Sequence, residues 1–277
     1  MRLSKEFIGE SLGTFMLVLF GCGSVAVSML FGAYQGIMQI ALAWGIGVTL
    51  AIYLTRHLSC AHLNPAVTLA MVISGRMKIR KVPVYLTAQF IGAFLAGLAV
   101  YLLFGPSISA YEAAHTIVRG SAESVQTAKM FGEYYSVTGS TAVVSMPLAI
   151  GAEAFGTFIL LLMIFALTEG CNIGRPHDAM APLFIGLTVS SIICLIAPLT
   201  QAGLNPARDF GPRMVAWIFG WSDAAFPDKT GGFFLVYILA PVIGGIVAAL
   251  FFVKIIEPAM KGTPEKCDCN CGGKGKG

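Results

Sequence analysis

Long apolar runs alternate with short polar segments along the whole of this 277-residue chain. Six of the runs are long, and they cover about 7–31, 36–56, 82–104, 146–168, 178–199 and 232–256. A helix of about 20 apolar residues crosses the roughly 30 Å hydrocarbon core of a bilayer. The pattern therefore predicts an all-α membrane protein with six transmembrane helices.

Two further apolar runs, about 65–75 and 206–219, are too short to cross a bilayer. Each begins with the same three residues, which are Asn64-Pro65-Ala66 and Asn205-Pro206-Ala207. Asn is a preferred N-cap and Pro is tolerated at the first helical position, so each triplet is expected to begin a half-helix. Non-helical backbone should precede both, over 59–63 and 200–204, where it must be buried in protein or line a cavity.

The second half of the chain repeats features of the first at intervals of 141 to 143 residues. The second Asn-Pro-Ala follows the first by 141 residues, and Gly186 follows Gly45 by the same interval. The segment 10–15 also recurs in similar form as 153–158. Three spans per half make the second half enter the membrane from the opposite face, which predicts an inverted 3+3 repeat. We expect one transmembrane domain over 1–258, with repeat one at about 6–125 and repeat two at about 145–258.

Charged residues make up 12% of the chain, against about 25% in soluble domains. With six spans, 12 of the 18 Lys and Arg residues fall on one side of the membrane: Arg2, Lys5, Arg76, Lys78, Arg80, Lys81, Arg175, Lys254, Lys261, Lys266, Lys274 and Lys276. The positive-inside rule then predicts a multi-pass protein of the cell (plasma or inner) membrane with both termini in the cytoplasm. The polar connecting segment, about 105–145, is expected outside.

Residues 259–277 are predicted to form a flexible cytoplasmic tail rich in Cys, Gly and Lys. Cys267, Cys269 and Cys271 could bind a soft metal, but a tetrahedral site needs a fourth ligand. A solvated tail is the simpler interpretation. No metal and no cofactor are therefore expected, and the net charge of +4 is explained by topology without a nucleic-acid partner.

Inversion brings the N-termini of the two half-helices face to face near the middle of the membrane. If each Asn oxygen accepts from its own helix, the amide NH₂ points into the space between them. Each helix N-terminus also carries about half a positive charge, which repels cations. Carbonyls of the non-helical segments would add acceptors along the same path: those of Cys60, Ala61, His62, Leu63, Gln201, Ala202, Gly203 and Leu204. A small neutral hydroxyl compound could follow such a path.

With these motifs the chain resembles the major intrinsic protein (aquaporin) superfamily across about 6–258. The segment 204–212 (LNPARDFGP) is similar to the glycerol facilitator branch in particular, as are Trp44-Gly45, Ala61-His62-Leu63 and 117–121. The resemblance implies a passive channel, an aquaglyceroporin, that facilitates diffusion of glycerol, water and related small polyols while excluding ions and protons. It also implies a homotetramer with one pore per subunit.

The same resemblance implies a selectivity filter made of Trp44, Ile193, Ala202 and Arg208. An arginine inside a membrane suggests function, since its guanidinium can donate to a solute hydroxyl, although a structural network is the alternative. Trp44 would supply an apolar wall for the CH groups of a polyol, or else lie in an interfacial belt. Glycerol facilitators typically place Gly and Phe where this chain has Ile193 and Ala202, so bulk has moved from one wall to the other.

Four further charged residues stand at positions of interest. Asp209 and Arg213 match positions typical of glycerol-conducting members and are spaced for an i,i+4 ion pair. Glu10 and Glu153 occupy repeated positions in apolar spans. A proton relay is one interpretation of an intramembrane carboxylate. The duplicated setting favours bracing instead, with each Glu accepting N–H groups from the unwound loop of the other half.

Three classes of function fit parts of this pattern. Within the channel class, the alternative is a water-selective aquaporin with weak glycerol conduction, which Ile193 and Tyr237 favour. A secondary transporter shares inverted repeats and broken helices, but it would need ion ligands near the midplane, where no carboxylate is spare. An intramembrane enzyme would need a nucleophile and a base, for which only Cys60 and His62 are close in the sequence. A channel without enzymatic activity is the prediction.

Overall fold

The computed structural model describes residues 4–34, 36–135, 142–228 and 231–261, and the regular structure in these residues is helical. In chain order the helices are α1 (Lys5–Phe31), α2 (Ile37–Ser59), α3 (Pro65–Ile73), α4 (Val82–Ala114), α5 (Val125–Ala128), α6 (Met146–Thr168), α7 (Ala181–Thr200), α8 (Pro206–Ala216) and α9 (Ala240–Phe251). Helix α9 is the centre of a longer span over Phe234–Lys261. The tail beyond residue 261, with Cys267, Cys269 and Cys271, lies outside the described residues.

The six predicted spans are confirmed as α1, α2, α4, α6, α7 and the span around α9. The largest difference is at the end of α4, which continues about three turns beyond the predicted end at residue 104. Ile108 and Glu112 lie one turn apart on this extension and are buried. The extension is therefore stabilised by packing against protein after the apolar run has ended.

The two half-helices begin where the sequence predicts. Asn64 caps α3 by accepting the N–H of Ala66 at 2.8 Å. Asn205 caps α8 by accepting the N–H groups of Ala207 at 3.1 Å and Arg208 at 3.2 Å. Helix α2 ends at Ser59 and α7 at Thr200, so each non-helical segment begins one residue later than predicted and covers 60–63 or 201–204.

Reciprocal contacts relate the two repeats. A Cβ on Gly45 would lie 2.5 Å from the carbonyl oxygen of Gly186, and one on Gly186 would lie 2.2 Å from that of Gly45. Helices α2 and α7 therefore cross in direct backbone contact. In the same reciprocal way α3 packs against α9 of the other repeat, and α8 packs against α4. Equivalent contacts made in both directions are those of a two-fold relation, as an inverted repeat requires.

Candidate functional site

A cavity of about 550 Å³ lies between the two repeats, with α2 and α7 along its walls. Both non-helical loops reach it. The predicted site residues at its surface are Trp44, Cys60, Ala61, His62, Leu63, Asn64, Ile193, Ala202, Gly203, Leu204, Asn205 and Arg208. The cavity thus brings together the two motif loops and all four residues of the predicted filter.

The two loops share an uncommon backbone. Positive φ angles between 53° and 67° occur at matching positions of the two loops, namely Cys60, Ala61, Leu63, Gln201, Ala202 and Leu204. Each such residue costs about 1–3 kcal/mol and persists only where the surroundings hold it. The loops therefore depend on contacts from neighbouring elements.

In repeat one the loop is held by Glu10 of α1. The carboxylate of Glu10 accepts the N–H of His62 at 2.9 Å and that of Leu63 at 2.7 Å. Gly13, one turn further along α1, lies so close that a Cβ there would be 2.4 Å from Cδ2 of Leu63. Helix α1 therefore lies directly against the loop of its own repeat.

Repeat two has the same arrangement around Glu153 of α6. This carboxylate accepts the N–H of Gly203 at 2.8 Å and that of Leu204 at 2.7 Å. A Cβ on Gly156 would be 2.7 Å from Cδ2 of Leu204. The prediction that each carboxylate braces a loop is confirmed, but the prediction that it reaches the other half is wrong. The first span of each repeat packs beside its own loop.

The link between the halves is made by the two capping Asn side chains instead. The amide of Asn64 donates to the carbonyl of Leu204 at 2.9 Å, and that of Asn205 donates to the carbonyl of Leu63 at 2.8 Å. An amide NH₂ has two hydrogens and a carbonyl has two lone pairs. One donor of each Asn is thus engaged across the repeats, and one remains for the cavity.

Arg208 and Trp44 lie against each other in the cavity wall. The guanidinium carbon of Arg208 is 4.0 Å from the centroid of the Trp44 ring, well inside the cation–π range. Both side chains are 95% buried, so the pair is held in a fixed position. Ile193 and Ala202 are also buried and line the same cavity.

Glu133 is a residue of this site that sequence reasoning missed. It lies between α5 and α6, outside the spans, and its buried carboxylate forms a salt bridge with Arg208. Burial raises the pKa of the Glu133 carboxyl to about 8, and the positive charge of Arg208 opposes the rise. No motif or spacing singles out Glu133 in the polar connecting segment. The nearest signal is the apolar pair Met130-Phe131 just before it, which is buried.

Asp209 and Arg213 form the predicted i,i+4 ion pair, with two contacts of 2.9 Å and 3.0 Å. Both residues are buried. Asp209 also accepts the backbone N–H of Glu133 at 2.6 Å, and Arg213 donates to the backbone carbonyl of Glu133. The pair therefore fixes the residue whose carboxylate contacts Arg208.

The cavity continues toward Arg56, Arg76 and Asp178. Arg56 lies on the same helix as Trp44, about 18 Å further along its axis at 1.5 Å per residue. Its guanidinium donates to the carbonyl of Asp178 at 2.9 Å. The cavity therefore follows α2 for more than half of the thickness of a hydrocarbon core.

Some predicted residues are near the cavity without lining it. The side-chain oxygen of Gln201 accepts the N–H of Tyr134 at 2.7 Å, and Gln201 is absent from the cavity wall in the described residues. The Pro and Ala residues of both motifs are buried in the first turns of the half-helices: Pro65, Ala66, Pro206 and Ala207. They shape the helix starts rather than the surface of the cavity.

A model of the Major intrinsic protein family matches residues 1–252. The chain is 42% identical over 272 residues to a propanediol uptake facilitator of Citrobacter freundii, with 97% of this chain and 98% of that protein covered. It is 42% identical over 258 residues to the glycerol uptake facilitator protein of Escherichia coli K12, with 92% and 89% covered.

Among solved structures, the aquaglyceroporin from Plasmodium falciparum is similar, with a TM-score of 0.81 and 29% identity. The match covers 94% of this chain and 99% of that one, so it includes both repeats. Sequence, fold and family match extend over the same two repeats. The chain belongs to the Major intrinsic protein family.

Proposed function

We propose that the protein is a passive channel through which glycerol and related small polyols, together with water, diffuse across the membrane while ions and protons are excluded. The observation that supports this most is that one cavity is lined by both Asn caps, by residues of both non-helical loops and by the Arg208–Trp44 pair. No step of conduction requires a bound group or an energy source. The solute gradient alone drives flow.

The two capping residues, Asn64 and Asn205, support the exclusion of charge. Each has one amide N–H free for an oxygen in the cavity, and each stands at the positive end of a half-helix. A cation meets two such ends, as in aquaporin-type pores generally. A water or hydroxyl oxygen between the two Asn donors must accept from both, so it cannot pass a proton along a continuous chain of waters.

The buried filter residues support the choice of a polyol. Arg208 carries five N–H donors, and those that Glu133 leaves free can bind the hydroxyl oxygens of a solute. The indole of Trp44 gives an apolar surface for the carbon atoms of the same solute. Ile193 narrows one wall, and Ala202 leaves the other open. The site thus offers one polar side and one apolar side.

The proposed class of solutes includes both propanediol and glycerol, the compounds in the names of the relatives. Propanediol and glycerol are three-carbon polyols, and one hydroxyl group separates them. Either would place hydroxyls toward Arg208 and carbon toward Trp44. The second candidate function, a water-selective channel with weak glycerol conduction, rests on the bulk of Ile193 in the filter.

The domain bounds, membrane location and oligomeric state proposed for the channel are those expected from its sequence. Residues 1–258 form one channel domain, with repeat one at about 6–125 and repeat two at about 145–258. Positive charge between the spans supports an inner-membrane protein with both termini in the cytoplasm. Many apolar side chains on the outer faces of the spans are exposed, and a homotetramer with one pore per subunit would cover part of that surface.

The test is transport by the purified protein in liposomes. Vesicles with the protein should take up glycerol and propane-1,2-diol faster than empty vesicles, with no added proton flux measured by an internal pH dye. Glycerol uptake equal to that of empty vesicles would overturn the proposal. If water flow is fast while glycerol uptake equals that of empty vesicles, the water-selective alternative is supported instead.

Ala202→Phe provides a variant with a matched control. Phe at position 202 adds a ring to the wall opposite the bulk of Ile193, so glycerol conduction should fall about tenfold or more. Ala110 on α4 is exposed and distant in sequence from the cavity residues, and Ala110→Phe should leave conduction unchanged. Equal conduction by both variants would remove Ala202 from the filter.

A further inference from the structure

Helix α1 contacts the filter residue Trp44 at Gly21. A Cβ on Gly21 would lie 2.2 Å from three ring atoms of Trp44, namely Cδ2, Cε2 and Cε3. Non-bonded carbon atoms keep about 3.5–4.0 Å apart. The indole of Trp44 therefore rests directly on the bare α-carbon of Gly21, and the guanidinium of Arg208 also lies over the ring.

We infer that Gly21 is a positioning residue for solute selection, because the missing side chain at this position sets how far Trp44 stands back from the cavity. This inference rests on the proposed function of Trp44 as a filter wall. The indole is rigid and 95% buried, so it cannot turn away from a new Cβ as a flexible side chain would.

A methyl group at position 21 leaves no room for the ring where it now lies, so the ring must move toward Arg208 and the cavity or the α1 backbone must move back. The displacement needed to restore ordinary contact is about 1 Å or more. A ring that moves into the cavity narrows the path for glycerol more than for water, since water is the smaller solute. Gly21→Ala should therefore lower the glycerol-to-water permeability ratio about tenfold, the effect expected for one carbon in a closely fitted site.

Two other glycines provide matched controls. A Cβ on Gly23, on the same helix, would meet nothing within 4 Å, so Gly23→Ala tests helix propensity alone. Gly47 lies about one turn after Trp44 on α2, and a Cβ there would lie 3.0 Å from Cβ of Phe20, with no Trp44 atom among its nearest neighbours, so Gly47→Ala tests tight packing of α1 on α2 without a direct contact with the ring. Both variants should keep the wild-type permeability ratio.

The experiment measures water and glycerol permeability of liposomes containing the full chain. The variants are Gly21→Ala, Gly23→Ala, Gly47→Ala, Trp44→Ala and the double variant of positions 21 and 44. We expect the first to lower the ratio and the double variant to match Trp44→Ala, since no ring remains to be displaced. A further change in the double variant would overturn the inference, because Gly21 would then act independently of Trp44.

The remaining outcomes separate the inference from the proposed function. If Trp44→Ala changes the ratio and Gly21→Ala does not, the filter stands and the role of Gly21 is overturned. If Trp44→Ala leaves the ratio unchanged, the filter role of Trp44 fails and the inference fails with it. If Gly21→Ala does not assemble, recovery of assembly in the double variant supports the contact, and its failure beside an assembled Gly47→Ala overturns it.

Discussion

The two loops that precede the half-helices have the same backbone, and side chains differ at two of their four positions. Both loops have positive φ angles at the same positions, and each accepts support from a carboxylate on the first span of its own repeat. Each loop also accepts a hydrogen bond from the capping Asn of the other repeat. Some side chains at corresponding positions, 141 residues apart, differ nonetheless, both in the loops and in the half-helices that follow. The duplicated contacts are those that bring the two half-helices together.

The first divergence is behind the loops, at His62 and Gly203. In repeat one the His62 ring lies against Tyr85, with 4.9 Å between centroids. In repeat two the counterpart is glycine, and a Cβ on Gly203 would be 2.8 Å from Cδ1 of Tyr237. In repeat two, Tyr237 therefore packs directly on the backbone of Gly203, whereas in repeat one the position carries the side chain of His62.

The second divergence faces the cavity. Val67 in repeat one corresponds to Arg208 in repeat two, and both line the cavity. Thr68 corresponds to Asp209, and only Asp209 is joined to a connecting segment, through Glu133. In the proposed function, the duplicated backbone excludes charge and the diverged side chains choose the solute. Two kinds of substitution test this division of roles. One gives a position in repeat two the residue of repeat one, and the other makes the same change at corresponding positions of both repeats.

Arg208→Val gives repeat two the residue of repeat one and should have the largest effect. At a pH above about 8, where Glu133 is ionised, its carboxylate would remain buried without its partner, which costs about 3–5 kcal/mol of stability. The constriction would also lose its positive charge, so cations should leak and preference for glycerol should be lost. Thermal unfolding in detergent and ion and glycerol fluxes in liposomes measure these effects. Adding Glu133→Gln should restore much of the stability, and no restoration would mean that the salt bridge matters little.

The protonation of Glu133 gives a pH-dependent version of the same test. Its pKa is about 8 when buried, against 4.5 for a free Glu, so the folded protein holds one more proton between these values. Stability should therefore fall as the pH rises from about 4.5 to 8 and level off above that. Glu133→Gln should remove this part of the slope. Glu123→Gln is the control, because Glu123 is exposed in the same connecting segment. An unchanged slope in Glu133→Gln would contradict the assignment.

Glu10→Gln and Glu153→Gln compare the braces themselves. Each replacement turns one of two accepting oxygens into an amide nitrogen, which leaves a loop N–H without a partner and costs about 1–3 kcal/mol. Because the contacts with the two loops are equivalent, the two variants should lower the unfolding temperature by similar amounts and reduce both water and glycerol flux. A loss confined to one variant would show that the halves are braced unequally.

The features that depend on local chemistry were predictable from the sequence. Asn-Pro-Ala fixes a helix start through capping and the geometry of proline, so Asn64 and Asn205 and the half-helices follow from local chemistry. The i,i+4 pair of Asp209 and Arg213 follows from helix spacing. These features depend on residues close in the sequence.

Contacts between distant segments were predicted less well. Glu133 reaches Arg208 only because the connecting segment folds back over the second repeat, and no local signal specifies that path. Whether Glu10 and Glu153 contact the loop of their own repeat or that of the other repeat depends on how the helices pack, and the duplication alone is compatible with both. The role of Gly21 depends on an α1–α2 crossing that brings it to Trp44, on the other helix.

Tyr85→Phe and Tyr237→Phe should have the smallest effects and give the finest comparison. The Tyr85 hydroxyl donates to the carbonyl of Ser59, and the Tyr237 hydroxyl donates to that of Thr200 at 3.0 Å. These acceptors are the last helical residues before the two loops, so each Phe removes one bond at the same place in its repeat. The loss is about 1 kcal/mol for each variant.

Equal small decreases in unfolding temperature, with an unchanged glycerol-to-water ratio, would place both tyrosines in the duplicated framework. Tyr53→Phe is the matched control, because the Tyr53 hydroxyl donates to the carbonyl of Ala179 at 2.6 Å, away from both loops. A changed ratio in Tyr237→Phe alone would contradict this. Since Tyr237 packs on Gly203 at the cavity wall, that result would move it to the diverged part of repeat two that selects the solute.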